Sequence, residues 1–360
     1  MANLKNYQDS GVDYGVLDRI KREAIARAKS TAGQLEQHGA VEFGDSRGAS
    51  AYVFNVGAMN LAIVVEGLGT KSIIAEQVLQ AGGPQRFDDI AKDAVAAIVN
   101  DVVSVGALPL VVTAYFSTGD ASWYADEERA TALLRGWEAA CVEAGATWGG
   151  GESPALPGLV TPGALELAGS SIGVVPAGWE PIFGQDIEPG DRIVLLASSG
   201  LHANGASLAR SVAGDLPDGY LTELPSGRTF GEALLDPSVI YANFVRALVD
   251  ADIRPTFLNG ITGHGLMKMM RAPKRVRYQL DALPEVPEVL AFIAEQRGME
   301  PAEAYATLNM GAGYAAVVRA RDAEATVRLA TEAGYVALDA GQVVEGLGHR
   351  YSSARFCTYW

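Results

Sequence analysis

Cysteine is almost missing from this chain: Cys141 and Cys357 are the only two among 360 residues. Two thiols so far apart give neither a disulfide framework nor a thiolate zinc site. Cys141 sits among Ala139, Ala140 and Val142, in a stretch that reads as helix and core. Basic residues are also in deficit, 28 Lys and Arg against 43 Asp and Glu, for a formal charge of −15. Phosphate backbones are held by clustered cations, so no nucleic-acid partner is expected. No apolar run reaches membrane length and the polar opening residues are no signal peptide, which together imply no membrane partner and a cytoplasmic address. Low-complexity tracts, fixed-period repeats and the Walker spacing are absent too. What remains is the composition of a folded protein, 49% hydrophobic and 20% charged, long enough for two domains.

The most informative segment runs Leu61-Ala62-Ile63-Val64-Val65-Glu66-Gly67-Leu68-Gly69-Thr70-Lys71. A short apolar strand ends in a carboxylate, two glycines, a hydroxyl and an ammonium. Glycines let backbone N–H groups approach an anion, and Thr70 and Lys71 add a hydroxyl and a point charge. Glu66 at the strand tip suits a hard cation. The segment reads as a nucleotide site, with an ordinary glycine turn as its plainer alternative.

Elements follow from periodicity and punctuation. Strands are expected at 51–55, 61–65, 108–116 and 165–175, and helices at 14–30, 71–81, 87–105 and 126–144. Proline and glycine break every pattern over 176–190. Beyond the break, strands are expected at 192–197, 254–258, 313–319 and 335–344, and helices at 205–213, 237–250, 286–297 and 322–333. Strands alternate with helices throughout, so the class is α/β or α+β, in two domains.

Four further clusters carry possible chemistry. On the helix at 87–105, Asp93 and Asn100 lie two turns apart on one face, with Asp101 beside them, where a solvated stripe is the simpler reading. Gly149-Gly150-Gly151-Glu152-Ser153 comes after the apolar Ala146-Thr147-Trp148, at the end of an expected strand, and offers Glu152 as a further oxygen ligand, or a surface glutamate in a loop. Oxygens from Glu66, Asp101 and Glu152 would together match magnesium's preference. Ser198-Ser199-Gly200-Leu201-His202-Ala203-Asn204-Gly205 precedes a helix, where N–H groups and the dipole favour anions. Two glycine corners, Thr262-Gly263-His264-Gly265 and Asn309-Met310-Gly311-Ala312-Gly313, suggest close backbone packing around a cleft.

In this order the segments resemble the aminoimidazole ribonucleotide synthetase family, also called phosphoribosylformylglycinamidine cyclo-ligase. The resemblance starts at Tyr7-Gln8-Asp9-Ser10-Gly11-Val12-Asp13, takes in Asp18-Arg19-Ile20-Lys21 and the clusters above, and ends near residue 345. It implies ATP and Mg2+ as cofactors, a small phosphorylated substrate, and a homodimer. An N-terminal mixed-sheet domain, 1–175, would bind ATP and join its partner's sheet in a shared barrel. A C-terminal α/β sandwich domain, 176–360, would complete the substrate cleft. The implied catalytic residues are Lys21, His202 and Asn204, and the implied metal ligands are Glu66, Asp101 and Glu152. Gly67, Gly69, Thr70, Lys71, Asp93 and Asn100 would meet the nucleotide, and Ser199, Gly200, Thr262 and Gly263 the substrate. The chain departs from the family pattern at Glu66, where an aspartate is usual, at Gly260, where a histidine is usual, at His264, which breaks a glycine triplet, and around Phe43-Gly44-Asp45-Ser46-Arg47-Gly48. These departures leave open another ATP-dependent enzyme of the superfamily, resembling thiamine-monophosphate kinase or selenophosphate synthetase, and a non-catalytic paralogue.

Overall fold

The computed structural model describes residues 14–351 and 357–358. The segment 7–13 and the side chains of Asp18 and Cys357 lie outside the described residues. Helix α1, Tyr14–Lys29, leads into a six-stranded sheet built from β1 (Ala40–Glu42), β2 (Tyr52–Val56), β3 (Met59–Gly67), β4 (Leu108–Thr118), β5 (Thr147–Glu152) and β6 (Leu165–Val174). Its order is β1-β2-β3-β6-β4-β5, antiparallel except where β4 meets β5. Helices α2 (Lys71–Gln80), α3 (Phe87–Val103), α4 (Ser122–Ala125) and α5 (Glu127–Ala144) complete the unit.

Helix α3 is its spine. Ile90, Val95, Ile98, Val99 and Val102 are fully buried, and each contributes about 1.5–3 kcal/mol by leaving water. Two glycines set how closely α3 is held. A Cβ at Gly136 of α5 would lie 2.2 Å from the Asp88 carbonyl oxygen, and one at Gly173 of β6 would lie 2.5 Å from Val102 Cγ1.

No helix or strand falls between 175 and 191. A seven-stranded sheet follows, made of β7 (Arg192–Ala197), β8 (Phe257–Gly260), β9 (Val276–Leu280), β10 (Ala312–Val318), β11 (Ala337–Glu345), β12 (Gly348–Tyr351) and β13 (Cys357–Thr358). Its order is β13-β12-β9-β11-β7-β10-β8, antiparallel except where β12 meets β9. Helices α6 (Ala206–Asp215), α7 (Phe230–Leu234), α8 (Ala242–Asp250), α9 (Glu288–Gln296), α10 (Pro301–Thr307) and α11 (Ala323–Glu332) belong to this unit. Alternation along β7 divides the interior. Val194 and Leu196 join the large core continuous with the first unit, while Ile193 and Leu195 face a smaller core under the 3-10 segment Gly265–Arg271.

The class is α+β, with helices packed on mixed, mainly antiparallel sheets. Three local expectations change. The glycines 149–151 lie inside β5 rather than after it. The helix expected from 237 starts at Ala242, because tertiary hydrogen bonds hold 238–241 outside helix geometry. Ser238 N donates to Asp93, Asn100 Nδ2 to the Val239 carbonyl, and Tyr241 N to Asn100 Oδ1. Strand β8 begins at Phe257, after the expected 254, since Pro255 has no N–H to give a ladder.

Candidate active site

The two units enclose a cleft of about 270 Å³. Strand β3 delivers Glu66 and Gly67 to its rim, α3 delivers Asn100 and Asp101, and α1 delivers Lys21. The loop after β7 brings His202 and Asn204, and the corner after β8 brings Thr262 and Gly263. Nine residues singled out in the sequence thus meet in one place, although they come from five stretches of chain.

The other predicted residues lie elsewhere. Lys71 and Asp93 are both fully buried and form an ion pair of 2.7 Å beneath the cleft. The Lys71 ammonium also donates to the Asp236 carbonyl at 2.9 Å, and Asp93 Oδ1 accepts Ser238 N at 2.8 Å. Gly69 supplies the left-handed φ of 72° that turns the chain into α2. Thr70 Oγ1 shares a hydrogen bond of 3.2 Å with Ser207. Ser199 Oγ donates to the Pro237 carbonyl at 2.6 Å, and the Gly200 carbonyl accepts Asn309 Nδ2 at 2.8 Å. Glu152 is not brought to Glu66 within one chain. Strands β6 and β4 stand between β3 and β5, a separation of roughly 14 Å at about 4.8 Å per strand.

The expected convergence of three carboxylates is therefore a pair. Among the described residues no three His, Cys, Asp or Glu side chains gather as a metal site. Burial, and secondarily the charge of Asp101, pushes the Glu66 carboxyl up to about 7. Burial raises Asp101 as well, against the pull of Lys268 and Arg271. Two carboxylates share this desolvated site, and the cations around them offset only part of the rise.

Sequence reasoning missed Lys268 and Arg271, which line the same cleft from the 3-10 segment. Lys268 is only 8% exposed, and burial pushes its ammonium down to about 8 although Asp101 and Glu66 favour the charged form. Their signal was faint: two cations three apart just after a glycine corner, in a methionine-rich stretch that reads as core.

His202 has a left-handed φ of 58°, and its Nε2 accepts Ser199 N at 3.2 Å and Val239 N at 3.5 Å. Burial, then the nearby Lys71 charge, push it down to about 3. The imidazole is neutral and its Nε2 shapes two loops. The unfolded chain takes up this proton near pH 6.5 and the folded chain only near 3, so the stability it contributes is full above 6.5 and lost as pH falls towards 3. Denaturant titrations should show the advantage of the native protein over His202→Gln shrinking across that window. A constant advantage would contradict the assignment.

Residues 48–175 match the family model described as AIR synthase related protein, N-terminal domain, and residues 188–352 match its C-terminal domain. The phosphoribosylformylglycinamidine cyclo-ligase of Methanocaldococcus jannaschii is 32% identical over 353 residues, covering 96% of this chain and 93% of that protein. The protein of the same name from an Anaeromyxobacter species is 34% identical over 351 residues, covering 95% and 96%. A solved hydrogenase maturation protein HypE in complex with ATP has a TM-score of 0.60 at 17% identity, over 85% of this chain and 86% of that one. That last likeness is one of fold alone.

Proposed function

The chain belongs to the AIR synthase related protein family, and on that premise we propose that it is an ATP-dependent cyclo-ligase. It converts formylglycinamidine ribonucleotide to aminoimidazole ribonucleotide in purine biosynthesis, releasing ADP and phosphate. The observation that carries this reading is the cleft itself, where paired carboxylates face Lys21, Lys268 and Arg271 in a chain of net charge −15. That pattern complements a metal-bound polyphosphate beside an anionic substrate.

Glu66 and Asp101 fit Mg2+, which takes one or two carboxylates and fills its shell with water and substrate phosphates. When bound, the ion neutralises charge that builds on the phosphates during transfer. The Leu68 N–H is donated to the Leu167 carbonyl, so the N–H groups that the turn can offer to the phosphates at the start of α2, next to the cleft rim, are those of Gly69 and Thr70. Lys71 acts beneath that turn, fixing it to α3 and to the 236–238 loop through Asp93 and the Asp236 carbonyl. The formamide oxygen of the substrate attacks the γ-phosphorus and ADP departs. The neighbouring nitrogen then attacks the activated carbon, and phosphate leaves as the imidazole ring closes. Lys21, Lys268 and Arg271 hold the anionic reactants, Asn204 and Thr262 orient the substrate, and positioning supplies effective molarity. We take 1–175 as the nucleotide-binding and dimerising unit and 176–360 as the unit completing the cleft. The working environment is the cytoplasm, with neither nucleic acid nor membrane as partner; among the described residues no helix is long and apolar enough to cross a membrane.

A homodimer belongs to the same reading. The first sheet turns one face to α3, and its other face exposes Val65 at 72%, Leu110 at 44%, Ile172 at 42% and Tyr115 at 38%. A second copy of that sheet would cover this apolar patch. Val65→Asp should convert dimer to monomer in sedimentation measurements, whereas an unchanged mass would refute this interface.

The test of function is turnover. With ATP, Mg2+ and formylglycinamidine ribonucleotide, ADP and a diazo-coupling aminoimidazole should form in equal amounts. Gly260 and His264 favour the second reading, a related ATP-dependent enzyme with another acceptor, which ADP release without aminoimidazole would support. No Mg2+-dependent ATP binding at all would leave a non-catalytic paralogue.

A further inference from the structure

A second cleft, of about 370 Å³, adjoins the first and shares Arg271 with it. Its floor holds Asn259 of β8, which is 2% exposed and whose Nδ2 has no hydrogen-bond partner. Among the described residues with such an orphaned buried polar atom, Asn259 alone lines either cleft. An unmet buried donor costs about 1–3 kcal/mol, so the amide calls for an acceptor from a ligand. Lys29, Arg47 and Arg271 stand around the cleft against the single carboxylate of Asp45. Arg47 is engaged by Glu42 at 2.6 Å, which leaves Lys29 and Arg271 as the cations offered to a ligand. Phe183 and Phe257 supply apolar wall.

A donor on the floor beneath a cationic mouth fits a phosphate monoester better than a neutral base, which would leave the cations unused. Spacing agrees. Lys21 lines the first cleft and Lys29 the second, and eight residues of α1 separate them by about 12 Å. A ribonucleotide carries its phosphate and its reacting amide at opposite ends of a sugar, over a comparable length.

We propose that this second cleft seats the 5′-phosphate of the substrate, with Asn259 Nδ2 donating to a phosphate oxygen while Lys29 and Arg271 balance its charge. The assignment rests on the function proposed above but is tested without turnover. Ribose 5-phosphate titrated calorimetrically into the full chain should bind, and unphosphorylated ribose should not. Asn259→Ala should weaken ribose 5-phosphate on the order of tenfold and Asn259→Asp on the order of a hundredfold, with Mg2+-ATP affinity unchanged within about twofold. Lys29→Glu, at an exposed helix end, should weaken it several-fold and keeps the test decisive if the Asn259 variants fail to fold. Equal affinity in the native protein and the variants, no binding by the native protein, or losses falling on ATP would each overturn the assignment. Normal ribose 5-phosphate behaviour without aminoimidazole formation would instead overturn only the reaction.

Discussion

Lys71→Met is expected to destabilise the fold by about 3–5 kcal/mol, because it leaves the Asp93 carboxylate buried without its cation. The pair joins three elements: Lys71 opens α2, Asp93 lies on α3, and both are hydrogen-bonded to the 236–238 loop of the second unit. Burial pushes the Asp93 carboxyl up, while the Lys71 ammonium and the Ser238 donors hold it down. Without the ammonium the folded chain favours the protonated acid, so its folded pKa stands above the unfolded one. The variant should then be most stable below about pH 4, the unfolded carboxyl range, and lose stability as pH rises. Asp93→Asn in the Lys71→Met background should restore much of the loss at neutral pH by removing the orphaned charge. Denaturant midpoints without nucleotide measure all three proteins. Were Lys71 mainly a phosphate contact, Lys71→Met would lose ATP affinity with little change in midpoint.

The second large effect is expected at Asp101. Asp101→Asn should lower kcat/KM by about 10²–10³, equivalent to about 2.7–4 kcal/mol of transition-state stabilisation. Stability should move the other way. The charge of Asp101 is one reason Glu66 is pushed up to about 7, so its removal relieves repulsion and should raise the midpoint slightly. A loss of activity accompanied by a gain in stability separates a site residue from a structural one. Parallel losses of both would place Asp101 with the scaffold.

The fold was legible wherever the chain marks itself locally. Helix α3 is an apolar helix closed at Gly106, α5 closes at Gly145, and β4 and β6 are apolar runs ended by turn residues. Sheet direction was not, because strands alternating with helices suit parallel and antiparallel layouts alike until the pairings are known. The strand Val276–Leu280 passed unnoticed because charges at 274, 275 and 277 mask its buried Val276, Tyr278 and Leu280. The segment 238–241 was lost for a tertiary reason, since Asp93 and Asn100 take up the hydrogen bonds that would have helped it into a helix.

The site was legible as chemistry more than as contact. Carboxylates, glycines and hydroxyls at strand ends named the cleft, yet charge alone does not tell an ammonium facing a ligand from one facing a buried partner. Lys71 reads as a phosphate contact and is an internal tie, whereas Lys268, which no sequence motif marks, lines the cleft. Glu152 belongs to the right sheet but stands beyond two intervening strands, which spacing in sequence does not reveal.

Oxygen tracing tests the proposed chemistry most directly. Substrate labelled with heavy oxygen in its formamide group is turned over with ATP and Mg2+, and the released phosphate is analysed by mass spectrometry. Phosphoryl transfer to that oxygen requires one labelled oxygen in each phosphate released. Label appearing in water, with unlabelled phosphate, would show ring closure proceeding without that transfer and would contradict the role assigned to the cleft.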